Sequence, residues 1–277
     1  MKKRTVIALI LAVALILAGA VMLALSASLA EEDGWMEPLT QRQISVTEEF
    51  DAVVIETGDC HVSFVPYEGA AEPYVVLLEK EKISHNAQVQ DGVLKIEMED
   101  NRKWTDYIGI SWKSMEMTVY LPEKQYESLK ITTSTGDIKI PEVLSAKEMV
   151  LRADTGEIYC DGTADALLNC ETDTGDIQLK NIRATEIYLK TDTGEVEGQN
   201  INCGLLACES DTGDVVFEKL AAAEYLQVFT NTGNVKIQDS DAGKINIETD
   251  TGNISVPASW KEKDHRIESD TGKIRFK

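Results

Sequence analysis

The sequence predicts an all-β chain: a parallel, right-handed β-solenoid with coils of about 19–20 residues, preceded by one N-terminal transmembrane or signal helix. Three observations carry this. A Thr-Gly pair recurs with glycine at Gly136, Gly156, Gly175, Gly194, Gly213, Gly233, Gly252 and Gly272, in steps of 19 or 20 residues, the spacing of a stacked array. Apolar and polar side chains alternate on both sides of each glycine, the period of a half-buried strand. Asp or Asn stands before most of the Thr-Gly pairs, where its side chain can bond the turn amides.

At the N-terminus, Met1-Lys2-Lys3-Arg4 leads into an apolar run from Val6 to Leu25. Twenty helical residues at about 1.5 Å each span roughly 30 Å, the hydrocarbon thickness of a membrane. The basic residues hold the N-terminus inside, so the remainder is expected outside the cytoplasm. Residues 1–30 are read as a membrane anchor or signal segment, with the membrane contact at residues 5–25. Ser28-Leu29-Ala30 offers a small-x-small cleavage site, after which the protein would be secreted. The length of the run favours a retained single-pass anchor.

Residues 31–42 are polar and turn-rich, a short stalk. Strands begin near Gln43 and open the ectodomain, residues 43–277. Ile44, Val46, Val53 and Ile55 lead into Glu56-Thr57-Gly58-Asp59, an early copy of the repeat word. Cys60, two after Gly58, then falls in the Ile/Val column. Residues 43–125 read as irregular capping coils, because terminal repeats are expected to be atypical.

Residues 126–277 hold the regular repeats. Seven before each glycine stand Leu129, Met149, Leu168, Ile187, Leu206, Leu226 and Ile245, and five before stand Ile131, Leu151, Cys170, Leu189, Cys208, Val228 and Ile247. Three before, the residue is small: Thr133, Ala153, Thr172, Thr191, Ser210, Thr230, Thr249. Two after come Ile138, Ile158, Ile177, Val196, Val215, Val235, Ile254 and Ile274. These are strands with one buried face, joined by connectors that end near a small residue, Ala146, Ala184, Cys203, Ala223 or Ala242. Arg266, Lys273, Arg275 and Lys277 crowd the last coil, a charged edge that protects against pairing or docks a second copy.

The chain has 27 Lys and Arg against 48 Asp and Glu, a net charge of −21. Removing Lys2, Lys3 and Arg4 leaves −24 on the outer part, which excludes nucleic acid as a partner and favours cationic ligands. Cys60, Cys160, Cys170, Cys203 and Cys208 fall in core columns and read as small buried hydrophobes. No cofactor is expected.

Asp-Thr-Gly is also the active-site word of aspartic proteases, but that chemistry needs one facing pair of carboxylates sharing a proton. A stack of equivalent turns gives a row. The row Asp154, Glu157, Asp173, Asp176, Asp192, Glu195, Asp211 and Asp214 could bind calcium as an oxygen-rich ladder. The competing reading is a solvated edge, since charges about 5 Å apart in water repel by only about 0.8 kcal/mol. No isolated acid cluster marks a polysaccharide-cleaving site, so no enzyme is expected. Trp104, Tyr107 and Trp112 could contact a glycan or peptide, or pack the cap.

Phe50-Asp51-Ala52-Val53-Val54-Ile55-Glu56-Thr57-Gly58-Asp59, the step Val119-Tyr120-Leu121-Pro122 and the serial Asx-Thr-Gly-Asp-Ile units resemble the bacterial β-strand repeat family labelled "putative adhesin". The resemblance covers residues 43–277. It implies a membrane-anchored or secreted envelope protein, with some members tied to the Lia-type envelope stress response, and it brings no catalytic residues. The expectation is a non-catalytic, envelope-anchored scaffold or sensor of cationic peptides or protein partners. The alternatives are an adhesin for surface glycan or a host ligand and, third, a polysaccharide-active enzyme.

Overall fold

The computed structural model describes residues 38–69, 72–103 and 113–277. The apolar run from Val6 to Leu25, most of the stalk, and Trp104, Tyr107 and Trp112 lie outside the described residues. No helix among the described residues is long and apolar enough to cross a membrane.

From Gln125 onward the chain is a parallel β-solenoid in which each coil hydrogen-bonds to the coils before and after it. The register follows the repeat: Leu151 pairs with Cys170, Cys170 with Leu189, Leu189 with Cys208, and Cys208 with Val228. A side-chain period of two fixes this register, because a slip by one residue would turn every apolar side chain outward. The inward columns are buried from Ile138, Ile158 and Ile177 to Leu226, Ile245 and Ile254. Each such side chain stabilises the fold by about 1.5–3 kcal/mol relative to exposure.

A second corner, absent from the sequence reading, follows the turns at Gly175, Gly194, Gly213 and Gly233. Asn181, Asn200, Lys219 and Asp239 stand there at φ 55°, 64°, 55° and 49°. Asn and Asp tolerate this left-handed conformation better than most residues, and Asn200 Nδ2 donates to Asn181 Oδ1 at 2.9 Å, stitching one corner to the next. The next residue turns inward, so Ile182, Ile201 and Leu220 form a further core column. The small residue after it is Ala222, paired with Cys203 and Ala242. Ala223, expected in that place, is exposed. The extra residue of this 20-residue step is taken up as an irregularity between Ala222 and Tyr225.

The first coil is the strand Ala52–Tyr67. It pairs Thr57 with Thr133 and Val62 with Ile138, so the word Thr57-Gly58-Asp59 stands two residues out of step with the repeat. Cys60, not Gly58, occupies the turn position; its carbonyl oxygen is the atom a Cβ on Gly136 would meet, at 2.2 Å. Val62 therefore takes the Ile/Val place expected for Cys60. Burial of Val53, Ile55 and Thr57 against Leu129, Ile131 and Thr133 decides the register, and the local turn word yields to it.

The far side of this coil is closed by two strands that pair with it in parallel and that carry antiparallel partners. Its first half pairs with Val93–Asp100, whose hairpin partner Ile83–Gln90 is reached through the turn Asp91-Gly92. Its second half pairs with Met115–Pro122, which carries Tyr74–Glu79 and then Thr40–Ser45. These strands form a cap over one end of the solenoid core. Near the other end, a short 3-10 helix, Ala258–Glu262, drives Trp260 into the core, where it is fully buried. Beyond it Ile274 is 40% exposed, while the other residues of its column are at most 1% exposed.

Candidate binding face

The repeated turn is explained by stacking. Gly175 has φ +150°, and a Cβ there would lie 2.0 Å from the carbonyl oxygen of Gly156 one coil earlier. Only glycine lets the turns approach this closely. The Gly175 amide donates to the Thr193 carbonyl of the next coil at 2.9 Å, and the Ile177 amide to the Glu195 carbonyl at 2.9 Å.

The polar residue after glycine completes the ladder. Asp137 Oδ1 accepts the Glu157 amide at 3.0 Å, Asp176 Oδ1 the Glu195 amide at 2.8 Å, and Asp214 Oδ1 the Asn234 amide at 2.7 Å. Asn234 and Asn253 do the same for Asn253 and Lys273. The acceptor in each of these steps is a short Asp or Asn, so the column is selected for reach and not for charge.

The eight carboxylates of the expected calcium ladder thus divide by role. Asp176 and Asp214 are acceptors for backbone amides, while Glu157 and Glu195 supply the amides and leave their side chains at the exposed turn edge. Asp154, Asp173, Asp192 and Asp211 are exposed; Asp154 lies 3.7 Å from Arg152, Asp192 lies 3.9 Å from Lys190, and Asp211 accepts from Asn231 at 3.1 Å. Among the described residues, no three His, Cys, Asp or Glu side chains are grouped to hold a metal ion.

The outward positions of the strands that precede the turns carry a different surface. In register across successive coils run Leu167, Glu186, Leu205 and Tyr225, then Asn169, Tyr188, Ala207 and Gln227, then Glu171, Lys190, Glu209 and Phe229. Leu167, Leu205, Tyr225 and Phe229 are only half-buried, and Tyr188 is 39% exposed. A hydrogen bond from the Tyr188 hydroxyl to Glu186, 2.8 Å long, pushes its phenol pKa up. The turn edge borders this strip with exposed Asp154, Asp173, Asp192 and Asp211, and exposed Asp165 and Glu224 stand at the other end of the same strands. In the sequence this face is marked only by Tyr188, Tyr225 and Phe229, which stand in outward columns that are otherwise mostly polar and so fall outside the inward pattern.

A second polar cluster lies between the cap strands and the first coil, with Thr57, Glu79 and His85 buried and Arg42 at its exposed side. Thr57 Oγ1 lies 2.6 Å from His85 Nε2, and His85 Nδ1 lies 2.9 Å from Glu79 Oε1. Arg42 holds the same carboxylate through Nε at 2.9 Å and Nη2 at 3.1 Å. A hydroxyl, an imidazole and a carboxylate in series resemble a nucleophile with its base and orienting acid. Thr57, His85 and Glu79 are 8%, 1% and 6% exposed, so this hydroxyl faces packed protein. No local pattern along the chain marks the cluster, because its members come from four separate strands.

All five cysteines are free and buried. Burial pushes the thiols of Cys60, Cys160 and Cys203 up to about 12, and those of Cys170 and Cys208 up as well.

Comparison with solved structures finds similar chains of low identity. A "putative adhesin" from Bacteroides fragilis NCTC 9343 is 16% identical, with TM-score 0.48, covering 86% of this chain and 97% of that one. A "putative adhesin" from Parabacteroides distasonis ATCC 8503 is 14% identical, with TM-score 0.46, covering 86% and 96%. A "putative lipid binding protein" from the same organism is 14% identical, with TM-score 0.38, covering 87% and 97%. No curated protein matches. A family model spans residues 50–275, from the first residues of the capped coil to the last strand, and by that match the chain belongs to the Toastrack DUF4097 family.

Proposed function

We propose that this chain is a non-catalytic binding protein of the cell envelope whose outward solenoid face takes cationic, amphipathic peptide segments. The observation that supports it is the strip of Leu167, Tyr188, Leu205, Tyr225 and Phe229 set between acidic borders. Half-buried aromatic and aliphatic side chains offer apolar area at little conformational cost. The surrounding carboxylates select positive charge and steer its approach. The rigid coil spacing of about 4.8 Å presents these side chains as a flat, preorganised patch across three adjacent columns, with Glu171, Glu186, Lys190 and Glu209 among them, which lowers the entropy lost on binding. The apolar run Val6–Leu25 would keep this face close to the membrane, where such peptides act.

The reading is tested by calorimetric titration of residues 31–277 with a cationic amphipathic peptide, such as an amphipathic antimicrobial helix, at low and physiological salt. Saturable binding that persists at about 0.15 M salt, where charges beyond about 8 Å are screened, and that weakens at least tenfold in Tyr188→Ala/Phe229→Ala, is expected. Binding confined to low salt, or unchanged in the double variant, would show that the strip is not the site. Binding of a neutral oligosaccharide in place of the peptide would turn the assignment to a glycan.

A further inference from the structure

We propose that the Arg42, Glu79, His85 and Thr57 cluster is an acid-released latch: protonation of His85 loosens the outer cap strands Tyr74–Glu79 and Ile83–Gln90 over the first coil, while the ladders of Val93–Asp100 and Met115–Pro122 on that coil, and the solenoid, remain folded.

The cluster ties the outer cap strands to the first coil, beside the ladders that Val93–Asp100 and Met115–Pro122 make with it. Arg42 comes from Thr40–Ser45, Glu79 from Tyr74–Glu79, His85 from Ile83–Gln90 and Thr57 from the first coil, Ala52–Tyr67. Three cap strands therefore meet the solenoid at one imidazole. The Glu79 carboxylate also accepts the His85 amide at 2.5 Å, and an Arg42 amino group donates to the His85 carbonyl. Alongside, Lys80 Nζ lies 2.8 Å from Asp59 Oδ2, a second link from cap to coil, with Lys80 4% exposed.

Charge balance makes the imidazole the sensitive member. Arg42 and Lys80 offset Glu79 and Asp59, so the cluster is neutral while His85 is neutral. In that state His85 donates from Nδ1 to Glu79 and accepts at Nε2 from the Thr57 hydroxyl. A proton on Nε2 removes that acceptor and adds an unbalanced charge to a group 1% exposed, a placement that costs several kcal/mol unless the group reaches water. The remaining neighbours do not supply a new anion at that nitrogen. Cys60 is a neutral thiol held up by burial; on the hairpin partner, the residue opposite His85 is Met98, flanked by Glu97 and Glu99 on the outward side, and Asp100 is engaged by Arg102.

The direction agrees with this geometry. Burial, together with Arg42, holds the His85 pKa below its ordinary 6.5, against the opposing pull of Glu79. A histidine depressed in the folded state contributes stability that is full above pH 6.5 and is lost as pH falls from there toward the folded value. Burial alone would raise the Glu79 pKa, but the bonds from Arg42 and His85 bring it below 4.5, so Glu79 adds its own loss only in stronger acid. The window from pH 6.5 down to 4.5 belongs to His85.

The test is hydrogen exchange by mass spectrometry on the full chain at pH 7.5 and 5.5, corrected for intrinsic rates. Peptides covering 74–90 are expected to lose protection at least threefold at pH 5.5, against a ceiling of tenfold per pH unit, while peptides covering 163–256 keep theirs. His85→Gln is expected to abolish the difference, and His61→Gln to preserve it. Equal loosening of cap and solenoid, or an undiminished response in H85Q, would overturn the latch. Should H85Q not fold, an NMR titration of the wild-type imidazole decides: titration below pH 6.5 with cap amide shifts moving at the same midpoint supports the proposal, and an ordinary titration without cap response refutes it.

Discussion

The Thr191 hydroxyl donates to the carbonyl oxygen of Gly175, one coil earlier, at 3.0 Å. The same bond joins Thr172 to Gly156, Thr230 to Gly213, Thr249 to Gly233 and Ser269 to Gly252. A buried hydroxyl column thus satisfies a carbonyl that the close packing of the turns removes from water.

Ser210 is the member of this column whose buried hydroxyl has no partner. Ser210→Thr fixes the side-chain rotamer and places the hydroxyl as in the neighbouring coils. It is expected to raise stability by about 0.5–1.5 kcal/mol, the net value of one such bond, as a higher urea midpoint with unchanged slope.

The turn glycines should be the least replaceable positions. At Gly194, φ is +155° and a Cβ would stand 2.0 Å from the Gly175 carbonyl oxygen. Gly194→Ala should cost about 3 kcal/mol or more, chiefly through that contact, since neither turn can move without breaking its own ladder. Urea denaturation of the variant measures it, and an unchanged midpoint would contradict the stacking.

If Asp176 acts through its acceptor oxygen, Asp176→Asn should leave stability within about 0.5 kcal/mol, whereas Asp176→Ala should lose about 0.5–1.5 kcal/mol. A calcium site would behave differently: Asn would then cost as much as Ala, and added calcium would shift the wild-type melting temperature.

The five thiols should resist modification in the folded protein. At pH 8 none of them forms appreciable thiolate, because burial holds each far above its ordinary value. A disulfide reagent is expected to react with them only after denaturation. A raised thiol pKa contributes stability present below about pH 9 and lost as pH rises toward the folded values, so the urea midpoint should decline above pH 9.

Much of the fold was legible because a repeat shows its columns many times over. Leu168, Ile187 and Leu206 identify one another as core by position alone, and the glycines fix the coil length. Where repetition fails, so did the reading: the word Thr57-Gly58-Asp59 matched the repeat in letters, but the inward columns of its coil placed Cys60 at the turn. The left-handed corner at Asn181 and Asn200 was also missed, since Lys219 fills the same place and shares no obvious chemistry with Asn or Asp.

By itself the sequence determined the solenoid, its 19- to 20-residue coil, the position of the turns from Gly136 to Gly272 and the burial of its cysteines, because each depends on local periodicity that stacking merely repeats. Only the tertiary structure decided how the first coil is covered, why the turn aspartates are short, and which outward residues share a face. It alone brought Arg42, Thr57, Glu79 and His85 together. Such groups are joined by distance in space across antiparallel strands, and no periodic pattern along the chain records that distance.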